Sequence, residues 1–390
     1  MKDRKLLMIP GPIEFEPAVL SAIGSPTMSH VDPLFIEVFG RAIERMREVW
    51  IAPHGWPFIL AGSGTLAMDL AGANLIEPGD KALVLSTGVF GDRFAELLSR
   101  YGAEVRTISF PLGETIDYER VEAQLEAGGF KVMTATHVDT STGVRVDPEP
   151  FGRLGSEYGV LTILDGVCSV GGEEIRQEEW GIDVVLTASQ KAIGVPPGLA
   201  LLVASERAIA AFKRRKTPVQ NYYADWGKWL PIMEAYEERR PSYFGTPPVN
   251  HILALDTSLR LILAEGMEAR FARHRRLARA FRAGIAALGL SQVPTEESHA
   301  ANTLTAPRYP DGIDGSRLLT RIRQGGVVLA GGLHPQIATD YFRIGHMGAV
   351  TPGDILATIG AIEYGLAREG YRFETGAGLS AVQGALNEEG

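Results

Sequence analysis

Cysteine is nearly absent: Cys168 is the single one among 390 residues. One thiol excludes an internal disulfide framework and a Cys-based zinc site. No HExxH occurs, and none of the eight histidines pairs at the close spacing of a helical metal site. Long apolar runs are missing as well. No stretch approaches the ~18 apolar residues that span a bilayer, and Met1–Leu7 is charged where a secretory signal would be apolar. The ending Asn387-Glu388-Glu389-Gly390 is not a peroxisomal address. A cytoplasmic protein is the expectation. Positive charge is in deficit, with 38 Lys plus Arg against 47 Asp plus Glu and a net charge of −9. That balance argues against general nucleic-acid or anionic-membrane binding. Two basic clusters, Lys213–Lys216 and Arg273–Arg276, read as solvated helix faces.

What the chain does contain is ordinary globular material, 45% hydrophobic and 22% charged, enough for a sizeable core. From Pro57 to Ala204, strand-like and helix-like runs alternate. The strand candidates are Pro57–Ala61, Lys81–Ser86, Glu104–Ile108, Lys131–His137, Val160–Asp165, Asp183–Ser189 and Leu199–Ala204. Most are near-continuously apolar, as in a sheet covered on both faces. Helical runs at 65–76, 93–100, 118–126 and 148–158 separate them, so a mostly parallel seven-stranded α/β sheet is expected. Val249–Leu288 reads as one long helical region leading into a smaller α+β module. The tail, Thr375–Gly390, is small and polar and reads as mobile.

Open α/β sheets bind ligands beyond the carboxyl ends of their strands, so the residues that follow each strand carry the chemistry. After the first comes Gly62-Ser63-Gly64-Thr65 and then a helix. Close-approaching backbone, hydroxyls and a helix N-terminus make a phosphate seat, although Ser or Thr there is equally a plain N-cap. The turn lacks the P-loop lysine and the GxGxxG pattern, which disfavours nucleotide binding. Phe90, after the second strand, could stack on a flat ring or belong to the core. The fourth strand leads into the polar loop His137-Val138-Asp139-Thr140-Ser141-Thr142-Gly143. Asp165 closes a mostly apolar strand, either capping a turn or pairing with a protonated pyridine nitrogen. Lys191 lies just past another strand end, either in a surface loop or as a Schiff-base lysine.

Taken together, these stretches resemble the class V aminotransferases of fold-type I, which use pyridoxal 5'-phosphate. The alanine–glyoxylate and serine–glyoxylate branch is the most similar. The resemblance rests also on Ile9-Pro10-Gly11-Pro12, Ser86-Thr87-Gly88-Val89-Phe90-Gly91-Asp92-Arg93, Thr187-Ala188-Ser189-Gln190-Lys191-Ala192, Tyr243-Phe244-Gly245-Thr246-Pro247-Pro248 and Phe342-Arg343-Ile344-Gly345-His346-Met347-Gly348. It implies an N-terminal arm over 1–20, a large cofactor domain over 21–262 and a small domain over 263–390.

The resemblance also implies roles. Ser63, Gly64, Thr65 and Gln190 would hold the phosphate. Phe90 would stack on the pyridine ring, where relatives often carry Trp, and Val167 would pack on its other face. Asp165 would pair with the ring nitrogen and Lys191 would form the Schiff base. Ser141 would face cofactor and substrate, Gly11 would lie near the substrate, and Arg343 would clamp its carboxylate. Tyr243 and Thr246 would reach the cofactor phosphate of a second copy in a homodimer, though Thr246 before two prolines could equally cap a helix. The Gly62–Thr65 turn carries no Arg or Lys, so the phosphate is expected to depend on neutral donors, the helix dipole and the partner subunit.

The implied reaction is transamination from L-alanine to glyoxylate, giving pyruvate and glycine, with serine–glyoxylate or serine–pyruvate transamination as the alternative. A cysteine desulfurase would need a mobile cysteine in the small domain, where there is none. A phosphoserine-type enzyme would need further cations. A non-catalytic cofactor- or nucleotide-binding regulator has no use for Lys191, Asp165 and Arg343 together.

Overall fold

The computed structural model describes Arg4–Glu388; Met1–Asp3 and Glu389–Gly390, which the expected arm and small domain include, lie outside the described residues. Seven strands form the central sheet: β1 (Trp56–Ala61), β2 (Lys81–Ser86), β3 (Glu104–Ser109), β4 (Phe130–Thr136), β5 (Leu161–Asp165), β6 (Val184–Ala188) and β7 (Leu199–Ala204). Their spatial order is β1-β7-β6-β5-β4-β2-β3, with β7 antiparallel to both its neighbours and the remaining pairs parallel. Every residue of β5, β6 and β7 is buried. Their largely aliphatic sequence follows, since burying each Val, Leu or Ile contributes roughly 1.5–3 kcal/mol.

The strand directions put Ala61, Ser86, Thr136, Asp165 and Ala188 along one rim. Thr136 and Asp165 are register partners, and Leu186 lies beside Asp165 on β6. The large core runs from Val19 to Ile262 and includes the helix Pro33–Trp50. A second core gathers Met8 with Leu277–Ala385.

The expected long helical region is two helices, Val249–Glu265 and Met267–Ala287, interrupted at Gly266 with φ +84°. A positive φ has no place inside a right-handed helix. The described part of the tail is structured: Ala377–Asn387 is a helix whose Val382 and Ala385 are buried in the second core. Its alanines and glycines let it lie closely along Met267–Ala287. The basic clusters are not simple solvated faces either. Arg273 is held by Glu265 and by the Gly348 and Val350 carbonyls, and Arg215 donates to the Asn74 and Ile76 carbonyls. No helix among the described residues is long and apolar enough to cross a membrane.

The N-terminal stretch bridges both cores. Leu6–Leu7 pairs in parallel with Val327–Val328, the Met8 carbonyl accepts from Gly345 N–H, and Ile13 N–H donates to the Gln190 carbonyl.

Candidate active site

Lys191 lies three residues beyond β6 and is 8% exposed. Its amine donates to the Pro10 carbonyl and meets no carboxylate within ion-pair distance among the described residues. Burial pushes its pKa below the ordinary lysine range, and Arg343 adds to that, while Cys168 and Asp165 work against it. Gly11 sits against the lysine with φ +114°; a Cβ there would come within 2.7 Å of Cδ and 2.9 Å of Cε. The absence of a side chain at Gly11 thus decides where the lysine lies.

Asp165 is 1% exposed at the end of β5. Val167 N–H donates to its Oδ1 at 3.0 Å, and no donor reaches Oδ2 among the described residues. Burial drives its pKa up from 3.8 to about 7, with Asp139 adding and the Val167 hydrogen bond, Lys191 and Arg93 opposing. A buried carboxylate with one free oxygen suits a cationic ring N–H.

The loop after β4 organises the opposite side. Asp139 is fully buried and accepts from Phe90 N–H at 3.0 Å, Ser141 N–H at 2.8 Å and Ser141 Oγ at 2.5 Å. Ser141 Oγ in turn accepts from Val89 N–H at 3.1 Å. This contact needs Gly88, because a Cβ there would lie 2.6 Å from Asp139 Cγ and Ser141 Oγ. Phe90 is thereby fixed at the start of helix Val89–Arg100, with the Arg93 guanidinium 4.7 Å from its ring centre. Arg343 donates to the Gly331 carbonyl at 2.9 Å and the Thr140 carbonyl at 3.1 Å, which orients its fork beside the same loop. Tyr341, wholly buried, donates to the Ser141 carbonyl and accepts from Leu333 and His334 N–H.

At the phosphate turn, Ser63 occupies the N-cap of Gly64–Leu75 and makes no capping hydrogen bond. Asp117, Asp147, Ser205, Asp225, Asp314 and Thr351 all cap their helices. The Ser63 hydroxyl and the first N–H groups of that helix are therefore available to an anion. Gln190, next to Lys191 in the chain, has a buried Oε1 with no hydrogen-bond partner among the described residues. Gly64 lies against Val167, whose Cγ2 would be 2.8 Å from a Cβ there. The turn itself carries no cation, but Arg93 Nη1 reaches within 3.4 Å of Thr65 Oγ1, so one from the next helix stands beside it. The free donors, the acid at β5, the buried amine and the aromatic at Phe90 fit pyridoxal phosphate.

Not every expected residue joins this group. Tyr243 is 63% exposed with its ring against His30, and Thr246 is exposed. Thr246 is not the cap of the following helix, which starts at Val249 with Pro248 before it. Sequence reasoning missed Asp139, Arg93 and Tyr341. An acid between Val138 and Thr140 in a strand-end loop was the one available signal for Asp139.

The family model described as aminotransferase class-V matches residues 22–349. Alanine–glyoxylate aminotransferase 1 of Saccharomyces cerevisiae is 39% identical over 362 residues, covering 89% of this chain and 93% of that protein. L-aspartate–glyoxylate aminotransferase of Paracoccus denitrificans is 32% identical over 389 residues, covering 98% and 96%. The solved pyridoxamine–pyruvate aminotransferase of Mesorhizobium loti superposes with a TM-score of 0.93 at 32% identity, covering 99% of this chain and 97% of that one.

Proposed function

Because the chain belongs to the class-V aminotransferases and takes pyridoxal phosphate as its cofactor, we propose that it transfers the amino group of L-alanine to glyoxylate, giving pyruvate and glycine. The observation that carries this reading is the buried, carboxylate-free Lys191 amine set between Asp165 and Arg343. When bound, the cofactor supplies an electron sink for the pair left on the substrate's α-carbon. Lys191 is the base that takes the α-proton and later returns it, a role typically worth about 10²–10⁴-fold. Its lowered pKa keeps a larger neutral fraction ready to accept that proton. Asp165 holds the ring nitrogen's proton, and Phe90 and Val167 enclose the ring. Ser63, Gly64, Thr65 and Gln190 hold the phosphate with Arg93 beside them.

Arg343 receives the substrate carboxylate with its free guanidinium face, a charge-assisted pairing. Ser141 and Gly11 border the place where the small substrate lies. Asp139 is a positioning residue that acts through Phe90 and Ser141. Tyr243 and Thr246 complete the site of a second copy; their exposure, with Tyr222 at 72%, supports a surface that meets another chain.

A panel of alanine, serine and aspartate as donors against glyoxylate and pyruvate tests the assignment. Alanine with glyoxylate should give the highest kcat/KM. A clear preference for serine or aspartate, or for pyruvate as acceptor, sinks it.

A further inference from the structure

Outside this site, the helix Met267–Ala287 borders a cavity of about 1000 Å³ lined by Arg145, Arg273, Arg275, Arg276, Arg279 and Arg282. Its acids are Glu265 and Glu297. Both Glu265 oxygens are already held by Arg270 and Arg273, and Arg275 lies beside Glu174. Three arginines remain without a carboxylate partner among the described residues: Arg145, Arg276 and Arg279. Arg276 has no hydrogen-bond or ion-pair partner among the described residues. Among the described residues, the Arg279 guanidinium donates only to the Glu388 carbonyl at 3.3 Å, and the Arg145 guanidinium only to the Ser298 carbonyl at 3.2 Å. Arg282 meets Glu297 at 3.2 Å. Among the described residues no acceptor reaches the buried Nε atoms of Arg145 and Arg279, so part of this charge is desolvated there without a partner.

Such a gathering runs against the chain's net charge of −9. It also draws on separate parts of the chain, since Arg145 follows the β4 loop and the others lie on one helix. Arg282 is only 11% exposed. Its pKa is lowered by burial, Glu297 opposes this, and Arg145 adds to the lowering. Like charges held together at a half-buried place need an anion from outside. Ala269, Ala272 and Ala300 give the cavity an apolar wall. Its volume lies at the upper end of the roughly 300–1,000 Å³ common for small-molecule sites, larger than an inorganic ion requires.

We propose that this arginine-lined cavity binds a nucleoside di- or triphosphate, the phosphates meeting Arg145, Arg276, Arg279 and Arg282 and the nucleoside lying against the alanines. Adjacent phosphates match several guanidinium forks at once. This site shares no residue with the cofactor site, so the proposal does not rest on which amino acid the enzyme uses.

Calorimetric titration of the cofactor-loaded enzyme with ATP, inorganic tripolyphosphate and citrate at about 0.15 M salt tests it. ATP should bind saturably, more tightly than tripolyphosphate and at least tenfold more tightly than citrate. R276E/R279E should weaken ATP at least tenfold and leave transamination without nucleotide unchanged. R276E alone, at an exposed position, should weaken it several-fold and guards against a misfolded double variant. R323E, which reverses an exposed charge on another helix, should have no effect. No saturable binding, citrate as tight as ATP, equal loss in R323E, or an acidic peptide preferred over ATP would overturn the assignment.

Discussion

Arg93 Nη1 stands 3.4 Å from Thr65 Oγ1 while the same guanidinium lies 4.7 Å from the centre of the Phe90 ring. One cation therefore touches both the turn proposed to receive the phosphate and the aromatic proposed to cover the ring. Arg93→Gln should weaken pyridoxal phosphate binding about tenfold, the loss of one charge-assisted hydrogen bond near the surface. Binding of pyridoxal, which lacks the phosphate, should change far less. Equal losses for the two ligands in a fluorescence titration would place Arg93 on the ring alone.

Lys191→Ala should lower the transamination rate by at least about 10²-fold, the contribution of a positioned base. Borohydride should no longer fix the cofactor to the chain, as judged by mass spectrometry. Retained activity would remove Lys191 from the mechanism.

The Arg343 fork is held at two carbonyls, and its remaining N–H groups are the ones proposed for the substrate carboxylate. Arg343→Gln should reduce kcat/KM roughly 10–100-fold for donor and acceptor alike, from about 1.5–3 kcal/mol for a hydrogen bond to a charged partner. Cofactor affinity should barely move. A drop confined to cofactor binding contradicts the carboxylate role.

Asp165 rises from 3.8 to about 7 because burial disfavours its charge. The folded protein without cofactor then binds a proton that the unfolded chain releases, so this group's stabilisation is full below about pH 4 and is lost as pH rises through about 7. The span corresponds to roughly 4 kcal/mol as an upper figure. Asp165→Asn should flatten the stability of the cofactor-free protein across that window, measured by denaturant unfolding between pH 4 and 8. The same variant should lose transamination, since an amide cannot balance a ring N–H charge. An unchanged pH profile would show that Asp165 is not the titrating group.

All seven strands could be read from their apolar runs, and with them the rim on which Asp165 and Lys191 sit. Both residues stand out because a charged side chain closes or follows a run that is otherwise buried. Arg343 was legible only through the motif around it, since nothing in Phe342–Gly345 alone distinguishes a clamp from an exposed strand arginine. The helix Pro33–Trp50 went unread although Phe35, Phe39, Ile43, Met46 and Trp50 lie on its buried side. The tail misled because alanine and glycine carry little hydrophobic signal yet permit close helix contact. Asp139 and Arg93 act through partners about fifty and thirty residues away in the chain, and no local pattern reports a contact of that kind.

The short stretch from Leu6 to Ile13 touches Val327–Val328, Gly345, Lys191 and Gln190 in turn. Its hold on the small core and its hold on the lysine are thus thermodynamically linked. Whatever loosens one end raises the probability that the other lets go. The carbonyl that accepts from the Lys191 amine belongs to a stretch held by both cores, so release of the second core would also loosen that acceptor. Catalytic readiness and integrity of the whole fold become one cooperative property.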